Sequence, residues 1–524
     1  MLDELHIASG LLRAAIDRYA DACRSIRDSL AGDRSEFEGP IRSTLTNELS
    51  MLIGYEAKLH ESRAMVSQSV NLSSDVVPER RIPVETLVYV FQLLVDMQHL
   101  PWFQNVPNYP LKLSHVCTSW RQIVHDSPSL WSCISLVSSE TINKEYLEFY
   151  SSRTKEASLD IRVFNDSNNV DESHSSRFTI PVPFIGRIRS LEMRLYDPYH
   201  SYIDKRDGEY LLATCLKASK NMLKRLALHL VPSLYNNSEC PNPHSLNTDK
   251  LEDALAPITD LWLGGVYFNW GSKAYHGLVS LRLDHTNSYP ISEIQLASIL
   301  ESSPQLRWIE IQLEITRTID GPYLPPVHLP DLELVVGVTA LLRLIRPGSK
   351  ELTVSIIDTN SKVPYDAALN DFFSCANLVN FYSDRFLQNT SDVCRLISIA
   401  PGLRGLAMSH ADLLDTLPDM TYTPLDTLYL LDGCVLERYL LEDMIDRWAI
   451  KKLVVLIDTY IVHDGKATLL YHLREEYSGY EEFSGLQEEF SSLLSSGVQL
   501  EFHIQSYSPS WSPPMNLFLG PPRQ

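Results

Sequence analysis

The chain has 524 residues, 44% of them hydrophobic, so it can bury a large core but is too long for one compact globule. Its 45 lysines and arginines are outnumbered by 66 aspartates and glutamates, and the formal charge of −21 at pH 7 would repel a phosphate backbone. Composition therefore predicts about two to four domains or an elongated repeat array, and no nucleic-acid partner.

The cysteines and the apolar runs indicate the compartment. No two of the eight cysteines form a Cys-x-x-Cys pair, which argues against a zinc site or a disulfide framework and favours reduced, mostly buried thiols. Nowhere do about 18 or more apolar residues run together, the length that a membrane-spanning helix needs. We therefore expect an intracellular protein, cytoplasmic and/or nuclear, with no membrane partner, no metal and no other cofactor.

The first predicted elements are two helices with a seven-residue apolar repeat. In the first, over residues 2 to 31, two rows of apolar residues share one helical stripe, with Ser9 as a polar exception. One row contains Leu5, Leu12, Tyr19 and Ile26, and the other contains Leu2, Ile16, Cys23 and Leu30. The second helix starts near Ser43 and carries Leu45, Leu49, Leu52 and Leu59. We predict a helical hairpin or short coiled coil at residues 1–66, in preference to a long coiled-coil dimer, and a polar linker at residues 67–80.

Residues 81–136 form the next segment, which begins "RIPVETLVYVFQLL". Pro83 is placed to start a helix on which Leu87, Phe91 and Leu94 form an apolar stripe. A second helix holds Leu113, Val116, Cys117, Trp120, Ile123 and Val124 at helical spacing. A domain of about fifty residues without a disulfide buries too little apolar surface to be stable alone, so this one is expected to need a partner.

This segment resembles an F-box. The residues that match the loose F-box pattern, in its order and spacing, are Ile82, Pro83, Glu85, Leu87, Phe91, Leu113, Val116, Cys117, Trp120, Arg121, Pro128, Leu130 and Trp131. The connection from Asp96 to Pro110 is longer than the shortest F-boxes use. The Ser-Pro-Ser-Leu-Trp ending resembles the form that is frequent in large fungal F-box families.

The resemblance implies a binding role. F-box helices dock on a Skp-type adaptor, which links the protein to a cullin in an SCF-type ubiquitin ligase. The residues that the resemblance favours as adaptor contacts are Pro83, Leu87, Phe91, Leu113 and Val116. Trp120, Leu130 and Trp131 are expected to hold the small domain together. The alternative is that all of these residues are simply the core of a helical domain.

From about residue 155 on, a pattern recurs in which an apolar residue is followed by further apolar residues at the third and fifth positions after it. Copies begin at Ile188, Leu223, Ile258, Leu278, Leu306, Leu403 and Leu425, with partial copies near Leu352, Leu378 and Leu453. Most adjacent copies start about 20 to 35 residues apart, which is the period of leucine-rich repeats or slightly more. The last two apolar residues of each copy share one face of a short strand.

The segments between the copies have helical apolar stripes, as in "ISEIQLASILESSP", "ELVVGVTALLRLIRP", "TSDVCRLISIAPG" and "LERYLLEDMIDRWAI". Because strands alternate with helices, we predict an α/β fold in which residues 137–504 form an irregular leucine-rich-repeat-like parallel β/α solenoid. The likeness to leucine-rich repeats is loose, since their asparagine position is mostly missing, and an α/β globule is the competing interpretation. Residues 505–524 are predicted to be a Pro-rich tail.

Large side chains at the exposed strand positions are candidates for substrate binding. Aromatic residues and arginine on a curved scaffold are typical anchors for a protein partner. The candidates on the predicted concave side are Trp262, Arg282, Trp308, Glu310, Tyr382 and Tyr429.

No catalytic site is predicted. The sequence has no Gly-x-x-x-x-Gly-Lys phosphate loop, no Gly-x-Ser-x-Gly nucleophile turn and no His-Glu-x-x-His pair. We predict a non-catalytic substrate-recognition subunit of an SCF-type ubiquitin ligase, with a Skp-type adaptor, a cullin and an unknown protein substrate as partners. One alternative is a non-catalytic repeat scaffold whose F-box-like helices only cap the solenoid, and another is an enzyme on an α/β globule.

Overall fold

The computed structural model describes most of the chain, in two compact units that comprise residues Met1–Leu87 and Val88–Gln524. The described residues are 2–32, 39–71, 82–97, 109–137, 144–164, 182–196, 212–216, 222–231, 251–284, 290–317, 324–357, 367–419, 423–431, 433–456, 460–463, 466–469 and 498–503. The predicted tail at 505–524 lies outside them, as does the 98–108 part of the long connection between the F-box-like helices.

The first unit contains two long helices, α1 (Leu2–Gly32) and α2 (Gly39–Asn71). They contact each other where the Tyr19 hydroxyl donates a hydrogen bond to Glu48 Oε2 at 3.2 Å. Helix α2 extends five residues into the segment predicted to be a linker. The polar residues there lie exposed on the helix, and no glycine or proline interrupts them, so polarity alone does not end the helix.

Four short elements follow. Helix α3 (Val84–Met97) spans the division between the two units, and α4 (Tyr109–Ser114) and α5 (Thr118–Asp126) lie in the second. A 3-10 turn at Pro128–Trp131 leads directly into the first strand. This strand, "CISLV", comprises Cys133–Val137.

Strands then follow along the chain, with short helices in some of the connections between them. The strands are β1 (Cys133–Val137), β2 (Leu159–Phe164), β3 (Ile188–Tyr196), β4 (Arg225–Val231), β5 (Asp260–Gly264), β6 (Ser280–Asp284), β7 (Ile291–Ser292), β8 (Trp308–Ile311), β9 (Ile315–Thr316), β10 (Val327–Leu329), β11 (Leu334–Gly337), β12 (Ile345–Pro347), β13 (Leu352–Ile357), β14 (Leu378–Asp384), β15 (Gly405–Ser409), β16 (Asp412–Leu413), β17 (Thr427–Leu430), β18 (Val435–Glu437), β19 (Lys452–Leu456), β20 (Tyr460–His463), β21 (Lys466–Leu469) and β22 (Gln499–His503). The helices are α6 (Lys144–Thr154), α7 (Val182–Ile185), α8 (Glu252–Leu255), α9 (Glu293–Ser302), α10 (Thr339–Arg343), α11 (Ala367–Cys375), α12 (Thr390–Ile399) and α13 (Arg438–Arg447).

Fourteen of these strands form one parallel sheet. Its spatial order is the order along the chain, β1-β2-β3-β4-β5-β6-β8-β11-β13-β14-β15-β17-β19-β22. Each strand therefore pairs only with its predecessor and its successor, which is the arrangement of a solenoid. The predicted parallel β/α solenoid is confirmed, and the α/β globule is excluded as the arrangement of these strands.

The repeated leucines explain why the strands stack. Leu226, Leu261, Leu281 and Ile309 pair in register across β4, β5, β6 and β8, and each is at most 2% exposed. The same inward row continues through Val335, Val354, Phe381, Leu406, Leu428 and Leu453. A single repeat could not bury this row, so the core forms only when neighbouring strands pair.

The helices between strands agree with the sequence patterns at three of four positions. Helices α9, α12 and α13 lie in the segments predicted to be helical. The prediction of one helix over 333–347 is wrong, because this segment contains β11, the short helix α10 and β12. Its run of apolar residues suits a strand buried on both faces as well as a helix, and all four residues of β11 are buried.

Left-handed turns end several strands of the sheet. Gly265, Arg385 and His410 each follow directly after a strand, with φ of 73°, 60° and 54°. At His410 the unfavourable conformation is accompanied by a contact of 3.1 Å between its Nδ1 and Asp384 Oδ1. These turns change the chain direction directly after the strand.

Candidate functional site

The first candidate site is built around helix α5 and the turn that follows it. The helix is capped by Cys117, whose Sγ accepts a hydrogen bond from the Trp120 backbone N–H at 3.4 Å. At its other end the Ser127 hydroxyl donates to the Ile123 carbonyl at 2.7 Å. Pro128 has no N–H to continue the helix, so the chain turns there.

Trp131 is the anchor of this turn and is fully buried. Its Nε1–H donates to the Val124 carbonyl at 2.8 Å, and its ring stacks on His125 with centroids 6.2 Å apart. From helix α6, Phe149 and Tyr150 meet the indole edge to face at 5.4 and 6.0 Å. One side chain thus joins α5, the turn and α6 beside the first strand of the sheet.

His125 lies within this aromatic contact and titrates abnormally. Its burial, together with the charges of Arg153 and Arg121, lowers the pKa of the His125 imidazole below its ordinary value. The imidazole is therefore biased towards the neutral form in which it stacks on the Trp131 ring.

Several of the predicted adaptor contacts are buried in the core of the small domain, together with the residues predicted to form that core. Leu130 is buried with Trp131, and Trp120 is half-buried with its ring centroid 4.7 Å from that of Phe91. Of the predicted adaptor contacts, Pro83 and Val116 are exposed, whereas Leu87, Phe91 and Leu113 are between 1% and 8% exposed. These three side chains are core in this structure, Leu87 and Phe91 on the inner stripe of α3 and Leu113 on α4.

Other apolar residues on the same helices are exposed. Among them are Tyr89, Val90 and Leu93 on α3 and Leu111 on α4, and together with Val116 between α4 and α5 they are between 41% and 64% exposed. We call these five residues the helical patch. Only Val116 was predicted to be a contact. Helix α3 is apolar on more than one side, so its sequence does not distinguish the inner face from the outer one.

The second candidate site is one residue row across the sheet. Each of the fourteen strands contributes one residue to this sheet-face row, in register with its neighbours. The row runs through Ser135, Arg162, Glu192, Ala227, Trp262, Arg282, Glu310, Val336, Ser355, Tyr382, Ala407, Tyr429, Val454 and Glu501. Because strand side chains alternate, the row lies on the face opposite to the leucine core. Five of the six predicted substrate-binding residues belong to it, and Trp308 lies two residues before Glu310 on the same face.

The sheet brings Trp262, Arg282 and Glu310 together with Asp284. The Arg282 Nε lies 2.7 Å from Asp284 Oδ1 and 3.3 Å from Glu310 Oε2, and its guanidinium lies over the Trp262 ring, 4.3 Å from the centroid. The Trp262 Nε1–H donates to Asp284 Oδ2 at 2.6 Å. Two carboxylates thus fix one guanidinium against an aromatic face, a rigid arrangement suited to contact with a polar partner.

Burial affects the acid chemistry of this cluster. Burial and the negative charge of Asp284 raise the pKa of the Glu310 carboxyl above its ordinary value, although Arg282 opposes the shift. The Gln312 side-chain amide also donates to Glu310 Oε1 at 2.7 Å. Sequence reasoning missed Asp284, although its place two residues after Arg282 on the same strand face was a signal.

The C-terminal part of the row is aromatic and closely packed. Tyr382 and Tyr429 flank Ala407 in register, and these residues pack with Leu431. Tyr382 is only 6% exposed, and its hydroxyl lies 3.3 Å from that of Ser409. Tyr382 was expected to be exposed on the concave side, but it is buried. The small side chain of Ala407 leaves room beside it, and the Tyr382 ring packs there. Tyr429 remains half-buried and accessible.

Neither a metal centre nor a membrane span emerges from the part of the chain that the structure describes. There, no three histidine, cysteine, aspartate or glutamate side chains are grouped so that they could hold a metal ion. Within the same ranges, no helix combines the length and apolar character needed to cross a bilayer.

Comparison with known proteins identifies one segment. A family model described as F-box-like matches residues 80–137, from just before α3 to the end of β1. The chain is thus an α/β protein with a helical N-terminal region, an F-box-like domain and a long parallel solenoid. No curated protein matches the sequence.

Among solved structures, an internalin from Listeria monocytogenes is similar over 67% of this chain and 89% of its own. The identity is 11% and the TM-score 0.27, so this likeness adds nothing to the assignment, which rests on strand order and register.

Proposed function

We propose that this chain is the substrate-recognition subunit of an SCF-type ubiquitin ligase. In this role the F-box-like domain docks on a Skp-type adaptor, which connects it to a cullin, and the solenoid binds a protein substrate. The observation that carries the proposal is the F-box-like match at residues 80–137, on helices that expose the helical patch. An exposed apolar surface on so small a domain favours a protein partner.

The adaptor contacts that we propose differ from those that the sequence favoured. Truncation of Leu87 or Phe91 would remove core packing and would test folding instead of docking. The helical patch is accessible and can be changed without opening the core. We therefore assign adaptor binding to Val116, Leu93 and their exposed neighbours on α3 and α4.

The test is co-purification of the full-length chain with a Skp-type adaptor, followed by measurement of the dissociation constant. A double variant, Leu93→Glu with Val116→Glu, places charges on two side chains that are 46% and 59% exposed. We expect the dissociation constant to rise at least about tenfold, because charge at a hot spot of an apolar interface weakens binding by more than ~1 kcal/mol.

The matched control is Leu414→Glu with Ile294→Glu, two solenoid side chains that are 46% and 61% exposed. This control should bind the adaptor like the unchanged chain. The proposal is refuted if the unchanged chain does not bind the adaptor. If both double variants bind equally well, the helical patch is not the contact.

On this proposal the chain itself is non-catalytic and acts in the cytosol or nucleus, and the ligase chemistry belongs to other subunits. The sheet-face row supports the substrate role, because it presents a fixed Trp262 and Arg282 and an accessible Tyr429 on a rigid scaffold. Glu310, which contacts Arg282, and Trp308 on the same strand face complete the proposed substrate contact.

A second candidate function is a scaffold in which the F-box-like helices only cap the solenoid. The packing of Trp131 against α6 favours it, because that contact closes the sheet at its first strand. Deletion of residues 79–136 would then unfold the repeats while the unchanged chain shows no adaptor affinity. Adaptor binding by the unchanged chain decides between the two functions.

A further inference from the structure

The N-terminal helices expose an apolar seam that their own contact does not cover. Among the side chains of α1 whose burial is described, only Ala20 is half-buried and all the others are exposed. Six seam residues, which are Leu2, Leu5, Leu12, Ile16, Tyr19 and Ile26, are between 36% and 75% exposed. Such a continuous apolar surface is rare on a monomeric soluble protein and marks an interaction site.

The seam has the pattern of a coiled-coil interface. Its two rows repeat every seven residues over residues 2–30 and contain no charged residue. Charged side chains lie outside these two rows, and some pair within the helix, as in Arg24 with Asp21 at 2.5 Å. One flank is small and neutral, with Ala8, Ala15, Ala22 and Ser29, so a second helix can approach closely.

The exposed area suffices for a stable dimer when α2 contributes to it. Helices α1 and α2 together hold 16 of the large apolar side chains that are exposed, six of them in the seam. If each seam residue leaves on the order of 75 Å² in water, two chains would offer roughly 900 Å² at the seam, and apolar side chains of α2 would supply the rest of the roughly 1,200–2,000 Å² of a stable interface.

Charge favours a second copy over other occupants. The two helices contain seven lysines and arginines against eight aspartates and glutamates, so they contribute only one of the chain's 21 excess negative charges. Two copies can therefore meet at these helices with little repulsion, although the rest of the chain is strongly acidic. A lipid surface is disfavoured, because helices that bind anionic lipid have a predominantly basic polar face.

We propose that this protein forms a homodimer through the α1 seam, with the apolar residues of one copy packed on those of the other. Helix α2 contacts the seam itself, because the hydroxyl of the seam residue Tyr19 donates a hydrogen bond to Glu48, so α2 lies at the edge of the interface and adds apolar surface to it. The dimer does not depend on adaptor binding, and it places two solenoids in one assembly.

The test is sedimentation velocity of the full-length chain across a range of concentrations. The unchanged chain should sediment as a species of twice the chain's mass. The double variant Leu12→Glu with Ile16→Glu puts charges in the seam and should raise the dimer dissociation constant at least about a hundredfold, since each hot spot is worth about tenfold or more.

The matched control is Ile7→Glu with Leu11→Glu, which has the same i, i+4 spacing and changes two side chains that are 59% and 68% exposed but lie off the seam. It should shift the dissociation constant by less than about threefold. A chain that stays monomeric at every concentration overturns the proposal, and so does an equal effect of the two double variants. Circular dichroism verifies that both variants keep their helices.

Thiol labelling gives an independent readout in the unchanged protein. Cys23 lies in the seam and Cys375 in helix α11, and both are exposed in the single chain. Dimerisation should slow maleimide modification of Cys23 as concentration rises, with no change at Cys375. Equal rates at both cysteines under all concentrations count against the seam, and binding of monomers to anionic phospholipid vesicles would assign the helices to lipid.

Discussion

Arg282 contacts two carboxylates on the sheet face, and replacing it should lower the free energy of unfolding. Replacing it by methionine keeps the stem over Trp262 but leaves Asp284 and Glu310 as like charges without their shared cation. Because the guanidinium is about two-thirds covered, we expect the free energy of unfolding to fall by about 1–3 kcal/mol. Urea unfolding of the purified chain measures this change.

Two further variants isolate the cause. Adding Glu310→Gln to Arg282→Met should restore part of the lost stability, because one uncompensated carboxylate is removed. Arg307→Met breaks a more exposed pair with Glu333 and should cost less than about 1 kcal/mol. If Arg307→Met and Arg282→Met lower the free energy of unfolding equally, the cluster around Arg282 stabilises the fold no more than an exposed ion pair does.

At the scale of elements, the junction between α5 and β1 depends on Trp131. Replacing it by alanine should destabilise the F-box-like domain by about 3–5 kcal/mol, since a fully buried indole leaves a large cavity. Trp131→Phe keeps much of the ring packing but removes the indole donor, so that the Val124 carbonyl keeps only the longer hydrogen bond from the Ser127 N–H, and about 1–2 kcal/mol is expected. Near-ultraviolet circular dichroism against urea follows the loss.

A matched element-scale comparison is Trp262→Phe, which changes a half-buried indole on the sheet face. This variant should leave the urea-unfolding transition of the region around α5 and α6 unchanged. If Trp131→Ala instead leaves every transition unaltered, the turn does not anchor α5 to α6.

At the scale of the whole molecule, each strand of the fourteen-stranded sheet pairs with the strands that precede and follow it in the sheet order, and with no distant strand of that sheet. A charge in a middle strand should therefore loosen the solenoid locally. In Val335→Asp a carboxylate replaces a fully buried side chain that pairs with Ile309 and Val354, at a cost of several kcal/mol. Hydrogen exchange should accelerate in β8, β11 and β13 more than in β2 and β3.

Thr353→Asp, on the half-buried opposite face of β13, is the control and should leave exchange in β11 nearly unchanged. Equal acceleration in all fourteen strands after Val335→Asp would mean that the sheet opens as one unit. That result would contradict the nearest-neighbour picture of its stability.

The repeated apolar pattern predicted a parallel sheet by itself, because a period-two strand face followed by a helical stripe has that one common solution, whereas the sequential strand order of the structure decided for a solenoid over a globule. The pattern starting at Leu278 thus predicted Leu281 and Leu283 in the core, where the structure has them. The order and spacing from Pro83 to Trp131 likewise indicated the F-box-like domain.

Only the tertiary structure decided which side chains reach water. Phe91 and Val116 fit one pattern equally well, yet Phe91 is buried and Val116 is 59% exposed, because exposure depends on the elements packed around a helix. In the same way, register across three strands, and not local sequence, brings Trp262, Arg282 and Glu310 into one cluster. Local periodicity fixes the face of a strand or helix, but contacts between residues far apart in sequence decide what that face meets.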